Sequence, residues 1–169
     1  MREVALLLRE MISAGVISEY AIFGAIAQMR YTEAVSTMYA DVLIAIPVKS
    51  SLDILRPIYE YCASRGLRPE GEAIRVGDWP VQFIPAFSPL TEEALHEAEI
   101  VEMEGVPLRV VRASHLGVIA LSTGRPKDYA RILSLLESGS VSRDDLRQLA
   151  DRHGLCEAWQ RFQARFLEP

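Results

Sequence analysis

The stretch Tyr20–Pro47 reads YAIFGAIAQMRYTEAVSTMYADVLIAIP. Near its end, the run Tyr39–Ile46 is apolar except for one aspartate, Asp41. The run Tyr39–Ile46 predicts a β-strand, because it is short, mostly apolar and bounded by polar or turn-forming residues. A carboxylate in a buried strand is unfavourable unless it is paired, hydrogen-bonded or bound to a cation. Asp41 is therefore the first candidate functional residue.

The neighbouring segments predict what Asp41 faces. Glu19–Gly24 is short and apolar, which indicates a strand that runs into a turn at Gly24, and Ala25–Tyr31 indicates a short helix. Side chains at positions i and i+2 of a strand share a face, so Asp41 should lie beside Tyr39. Two carboxylates with this spacing can bind divalent cations that activate a triphosphate. Tyr39 cannot replace a carboxylate at neutral pH, because an unperturbed phenol has a pKa of about 10.

The remaining pattern predicts a mixed fold. Alternating apolar and turn residues predict strands at Arg68–Val76, Pro80–Pro85, Ile100–Met103 and Val106–Val111, with turns at Gly77-Asp78 and Glu104-Gly105. Helical spacing predicts helices at Arg2–Ala14, Leu52–Ser64 (capped by Ser50 or Ser51), Thr91–Ala98, Ser114–Leu121, Pro126–Leu136, Ser142–Arg152 and Cys156–Leu167. The predicted fold class is α+β, with an α/β core over residues 1–112 and a helical segment over residues 113–169 packed on it.

Two stretches carry a resemblance to a known family. Tyr20–Pro47 resembles the nucleotidyltransferase superfamily, and within it the minimal nucleotidyltransferases and the abortive-infection type IV toxin nucleotidyltransferases of bacteria. His115–Leu155, which contains Gly-Arg-Pro-Lys-Asp, resembles the helical tail of the same group. The resemblance implies a mixed β-sheet with flanking helices and metal-dependent transfer of a nucleoside monophosphate from NTP to a protein or RNA acceptor. It also implies Mg²⁺ or Mn²⁺ as cofactor and a relation to toxin–antitoxin systems. Independently of the resemblance, the N-terminus lacks a signal-peptide layout, so we expect a cytoplasmic location.

The sequence departs from the family pattern at its metal ligands. That pattern has Asp-x-Asp on the second strand, and Asp41 matches the second aspartate whereas Tyr39 stands at the first. A third carboxylate of the pattern corresponds to Gln82, an uncharged amide. The nearest other carboxylates, Glu33 and Asp53, lack a convincing spacing. The metal site implied by the resemblance is thus incomplete, and we expect transfer to be weak or lost.

The resemblance also implies which residues act at the site. Asp41 would be the residual catalytic and metal-binding carboxylate, and its alternative role is a structural carboxylate that is hydrogen-bonded to the Phe23–Ala25 turn. The nucleotide would be bound by a glycine turn, two hydroxyls and a basic loop: Gly24, Ser36, Thr37, Arg125 and Lys127. The alternative for the loop is a surface turn with an intrahelical pair of Asp128 and Arg131.

Composition limits the other functions. The net charge of −5 argues against an extended nucleic-acid surface. No apolar run reaches the roughly 18 residues of a membrane span. Cys62 and Cys156 predict buried free thiols, and His96, His115 and His153 have no catalytic partner that the sequence reveals. Trp159, Phe162 and Phe166 predict a core or homo-oligomer face.

Two functions stay open: a weak nucleotidyltransferase, and a catalytically inactive nucleotide-binding or protein-interaction module.

Overall fold

The computed structural model describes residues 1–33, 35–47 and 53–168. Within these ranges the strands are β1 (Glu19–Ile22), β2 (Ala40–Ala45), β3 (Pro69–Glu70), β4 (Ala73–Val76), β5 (Trp79–Pro85), β6 (Glu99–Met103) and β7 (Val106–Val110). The helices are α1 (Arg2–Ser13), α2 (Gly24–Gln28), α3 (Arg56–Ser64), α4 (Pro89–His96), α5 (Ala113–Thr123), α6 (Pro126–Glu137), α7 (Arg143–Arg152) and α8 (Cys156–Phe166). The predicted α+β class, with a mixed sheet, flanking helices and a helical C-terminal segment, is confirmed.

The strands form one mixed sheet in the order β3-β4-β5-β2-β1-β7-β6. The strand β2 lies antiparallel to β1 and parallel to β5, and in this register Asp41 stands opposite Gln82. The turns at Gly77-Asp78 and Glu104-Gly105 join antiparallel neighbours, as predicted. The sheet order brings the turn after β1 next to the first residues of β2, where Asp41 lies.

The apolar core reaches both parts of the chain. In β2 the residues Ala40, Val42 and Ile44 are fully buried, as the alternating pattern predicts, and Leu43 on the other face is buried as well. The helix α5 is apolar on nearly all sides, and it packs against α4, α6 and α7. Burial of both its faces explains why this helix lacks a polar stripe. The helices α6, α7 and α8 all pack against α5, while a boundary at residue 112 stays a prediction.

Several predicted elements need correction. The predicted strand Arg68–Val76 is a hairpin of β3 and β4, because the chain turns at Gly71, whose φ of +64° is readily adopted by glycine. The helix predicted from Leu52 begins at Arg56, because Pro57 lacks an N–H and belongs in a first turn. Its predicted caps, Ser50 and Ser51, lie outside the described residues.

Smaller differences concern side-chain positions. Tyr39 precedes β2 instead of lying within it, and its side chain is 43% exposed. Cys62 is a buried free thiol as predicted, whereas Cys156 is exposed at the start of α8. Trp159 and Phe162 are buried, and Phe162 contacts the ring of Tyr129 at 5.7 Å between centroids. These aromatic side chains therefore belong to the core.

In the described part of the chain, no helix is both long enough and apolar enough to span a bilayer.

Candidate functional site

The turn after β1 is built around Gly24. The N–H of Phe23 donates a hydrogen bond of 2.9 Å to the main-chain oxygen of Asp41, which ties the turn to β2. Gly24 has a φ of +62°, and a Cβ atom added there would lie 2.0 Å from Oδ2 of Asp41. Only glycine fits both conditions, because it has no Cβ and adopts positive φ without strain. The Asp41 carboxyl group and the Gly24 backbone are thus in direct contact.

The surroundings of Asp41 have two opposite effects on the pKa of its carboxyl group. Partial burial raises the pKa of the Asp41 carboxyl group, and the positive charges of Arg131 and Lys127 oppose that rise. Its neighbour on β5 is the uncharged amide of Gln82. Asp41 is therefore a partly buried carboxyl group on which two positive charges act, and it has no acidic neighbour at the paired strand position.

The basic loop predicted to bind phosphate contains a local ion pair. Arg125 donates from Nε to Oδ2 of Asp128 at 2.7 Å and from Nη2 to Oδ1 at 3.2 Å. Asp128, which is 1% exposed, also accepts the main-chain N–H of Arg125 and so caps α6. The charge of Arg125 is offset by this carboxylate. Lys127 is exposed in the same turn, and its charge acts on Asp41.

Arg131 joins α6 to α2. Its Nε donates a hydrogen bond of 2.9 Å to Oε1 of Gln28, and its Nη1 lies 4.0 Å from Oδ1 of Asp128. Burial lowers the pKa of Arg131, and the carboxylates of Asp128 and Asp41 counteract this effect. The sequence prediction overlooked Arg131 as a site cation, although Lys127 and Arg131 are four residues apart and hence share a helix face.

The segment before β2 carries the hydroxyl groups of Ser36 and Thr37, which differ in their hydrogen bonds. Thr37 donates from Oγ1 to the main-chain oxygen of Tyr39 at 2.9 Å and accepts the N–H of the same residue at 3.3 Å. Its hydroxyl group thus closes a local turn. Ser36 is exposed. That Ser36 and Thr37 bind a nucleotide stays a prediction.

The residues around Asp41 do not fit the two-metal carboxylate site that the resemblance implies. Such a site needs several carboxylate oxygens around hard cations. At the paired positions the chain has the Gln82 amide and the exposed phenol of Tyr39 instead. Among the described residues, the one group of at least three His, Cys, Asp or Glu side chains close enough to share a metal ion does not include Asp41.

Comparisons with known proteins support the fold. No protein-family model matches the chain, and no curated protein matches its sequence. The crystal structure of an antigenic nucleotidyltransferase-like protein from Paracoccidioides brasiliensis is similar, with a TM-score of 0.55 and 14% sequence identity. The match covers 98% of this chain and 95% of that chain.

Two structures of the antibiotic-resistance factor ANT(2″)-Ia also match. Its solution structure has a TM-score of 0.44 and 16% identity, and the match covers 99% of this chain and 93% of that chain. Its crystal structure in complex with adenylyl-2″-tobramycin has a TM-score of 0.45 and 12% identity, with 98% and 99% covered. The match to the nucleotidyltransferase-like protein confirms the fold that the resemblance in Tyr20–Pro47 predicts.

Proposed function

We propose, from the nucleotidyltransferase superfamily fold of this chain, that it binds a nucleoside triphosphate beside Asp41 and that nucleotidyl transfer is weak or lost. The observation that carries the proposal is the set of charges around Asp41. The positive charges of Lys127 and Arg131 act on this one carboxyl group, and the amide of Gln82 lies at the paired strand position. Such a site has positive charge for phosphates and too few carboxylates for two metal ions.

The phosphate-binding role is assigned to the first two turns of α6. Lys127 is exposed in the first turn, and the dipole of a helix N-terminus favours an anion. Arg131 adds a second cation that is held in place by Gln28. Arg125 contributes less in this proposal, because its guanidinium group already pairs with Asp128. The Gly24 turn lies against Asp41 and would border the bound phosphates.

The loss of chemistry follows from the same residues. Nucleotidyl transfer requires stabilisation of negative charge on the phosphoryl group, which paired carboxylates normally provide by holding metal ions. Asp41 alone offers one carboxyl group, and partial burial favours its neutral form. The retained function would therefore be binding.

A binding experiment tests the phosphate role. A fluorescent ATP analogue is titrated into the wild-type protein, Lys127→Ala and Arg143→Ala, the last a matched loss of one exposed cation on α7. We expect Lys127→Ala to weaken affinity about tenfold, since a charged hydrogen bond contributes about 1.5 kcal/mol or more. Arg143→Ala should leave it unchanged. Equal affinity for all three proteins would overturn the role of Lys127.

A transfer experiment tests the loss of catalysis. The protein is incubated with α-labelled triphosphates and Mg²⁺ or Mn²⁺, with the protein itself and bulk RNA as acceptors. We expect no labelling above that of Asp41→Ala. Strong labelling that depends on Asp41 would establish a working nucleotidyltransferase. Absence of both labelling and nucleotide binding would favour the protein-interaction module, with the exposed side chains of Met38 and Tyr39 as its contact surface.

A further inference from the structure

A second polar cluster joins three helices around Glu93. Its Oε2 lies 2.7 Å from Nε2 of His153, which follows α7, and its Oε1 lies 3.4 Å from Nε2 of His115 on α5. Arg152 reaches Oε1 of the same carboxylate at 3.1 Å. Glu93 thus links α4 to α5 and to the end of α7.

Glu97 completes the cluster one helical turn after Glu93. One ligand atom from each of Glu93, Glu97 and His115 lies within 4.8 Å of the other two. The His115 ring is 2% exposed, and its Nδ1 is buried without a hydrogen-bond partner. Such a nitrogen is unfavourable unless a partner binds it. Nε2 is the His115 nitrogen that faces Glu93, so it is the ligand atom that His115 offers to the cluster.

We propose that Glu93, Glu97, His115 and His153 form a binding site for a divalent transition-metal ion of the Zn²⁺ type. Two imidazole and two carboxylate groups are ligands that Zn²⁺ binds in a tetrahedral arrangement, with bonds of about 2.0–2.2 Å. Mg²⁺ prefers oxygen ligands and retains its waters, so the imidazole groups disfavour it.

Arg152 and Arg112 can release the carboxylates of the cluster without leaving a buried unpaired charge. The Arg152 side chain is 61% exposed and can turn from Glu93 into solvent. Arg112 forms ion pairs with Glu97 and Glu99 at 3.4 Å each, so its ion pair with Glu99 remains when Glu97 binds the metal. Metal binding would therefore replace two arginine contacts of the cluster by one divalent charge.

An opening leads to the cluster. A surface cavity of about 390 Å³ is lined by Glu97, Arg112, His115 and Arg152, among others. The cavity gives an ion access to the edge of the cluster, while His115 closes its inner side. His153 reaches the group of Glu93, Glu97 and His115 through its 2.7 Å contact with Glu93. Side-chain rotation of Glu93 and His153 would therefore be needed for all four groups to bind one ion.

Metal titration of the protein tests the proposal. The chain is freed of metal with EDTA, and Zn²⁺ is titrated in competition with a chromophoric chelator, without nucleotide. We expect one tight site, and we expect Glu97→Gln and His153→Ala each to weaken Zn²⁺ binding at least tenfold, while Mg²⁺ does not compete. His96→Ala, which removes an exposed histidine at the end of the same helix, should leave the site intact.

A second measurement separates a metal site from a purely structural cross-link. Saturating Zn²⁺ should raise the Tm of the wild-type protein and not that of Glu97→Gln, because a ligand that binds the native state stabilises it. Absence of tight binding, or wild-type affinity in both Glu97→Gln and His153→Ala, would overturn the proposal. Neither result depends on nucleotide binding beside Asp41, so the two proposals succeed or fail separately.

Discussion

The substitution Gly24→Ala tests the contact between the turn and the candidate carboxylate. The added methyl group would lie 2.0 Å from Oδ2, 2.9 Å from Cγ and 3.1 Å from Cβ of Asp41. The carboxyl group can rotate away, but the Cβ atom moves only with β2. An overpacked contact of this kind typically costs about 1–3 kcal/mol. A left-handed backbone at alanine adds about 1–2 kcal/mol.

A matched glycine isolates the backbone contribution. Gly15 has a φ of +70°, and an added Cβ meets no atom within 4 Å. Gly15→Ala should therefore lower the free energy of unfolding by the backbone amount alone, about 1–2 kcal/mol. Gly24→Ala should exceed that loss by about 1–3 kcal/mol. Denaturant unfolding followed by circular dichroism measures both.

A double-mutant cycle then identifies the partner. Asp41→Ala removes Cγ and both carboxyl oxygens, so Gly24→Ala should be about 1–2 kcal/mol less destabilising in that background. If Gly24→Ala and Gly15→Ala lose equal stability and the cycle shows no coupling, the carboxyl group does not contact the turn and the site geometry is wrong.

Four further outcomes are expected. Burial raises the pKa of the Cys62 thiol to about 11, so alkylation at pH 8 should modify Cys62 only after unfolding. The exposed Cys156 should react first, although its hydrogen bond with Asp151 raises the pKa of that thiol and slows the reaction. Intact-mass analysis measures both, and simultaneous labelling of the two thiols in the folded protein would contradict the packing. Because folding raises that pKa, the protonated thiol contributes stability at neutral pH, and this contribution should fall as the pH rises above about 9, where the unfolded thiol ionises. Ser88→Ala removes the cap of α4 and should cost about 1 kcal/mol in urea unfolding, whereas no loss would mean that the capping hydrogen bond is not formed. Tyr39→Asp combined with Gln82→Asp should raise Mn²⁺ affinity, measured by calorimetry, and an unchanged affinity would show that three carboxylates do not converge there.

Much of the fold follows from local patterns in the sequence. The apolar period of two in β2 predicts its buried residues, and the glycine-containing turns at Gly77-Asp78 and Glu104-Gly105 predict two hairpins. The hairpin of β3 and β4 was missed because Gly71 interrupts a run whose composition still resembles one strand. The register of β2 with β5 depends on contacts between distant segments, and only the family resemblance related Gln82 to Asp41.

The candidate site was predictable in part. The sequence marks Asp41 and Gly24 because one is a charge in an apolar strand and the other ends a strand. Arg131 was missed because its contact with Gln28 spans 103 residues of sequence. His115 and His153 have no partner near them in the sequence for the same reason, since Glu93 contacts them only after three helices pack together.

The most direct test of the central claim is the affinity for a fluorescent ATP analogue in Mg²⁺ compared with EDTA. We expect binding in EDTA that is at least as tight as in Mg²⁺ and that weakens about tenfold in Lys127→Ala, because side-chain cations hold the phosphates. Affinity that is at least tenfold tighter in Mg²⁺ and is lost in Asp41→Asn would contradict it, because Asp41 would then hold a metal ion.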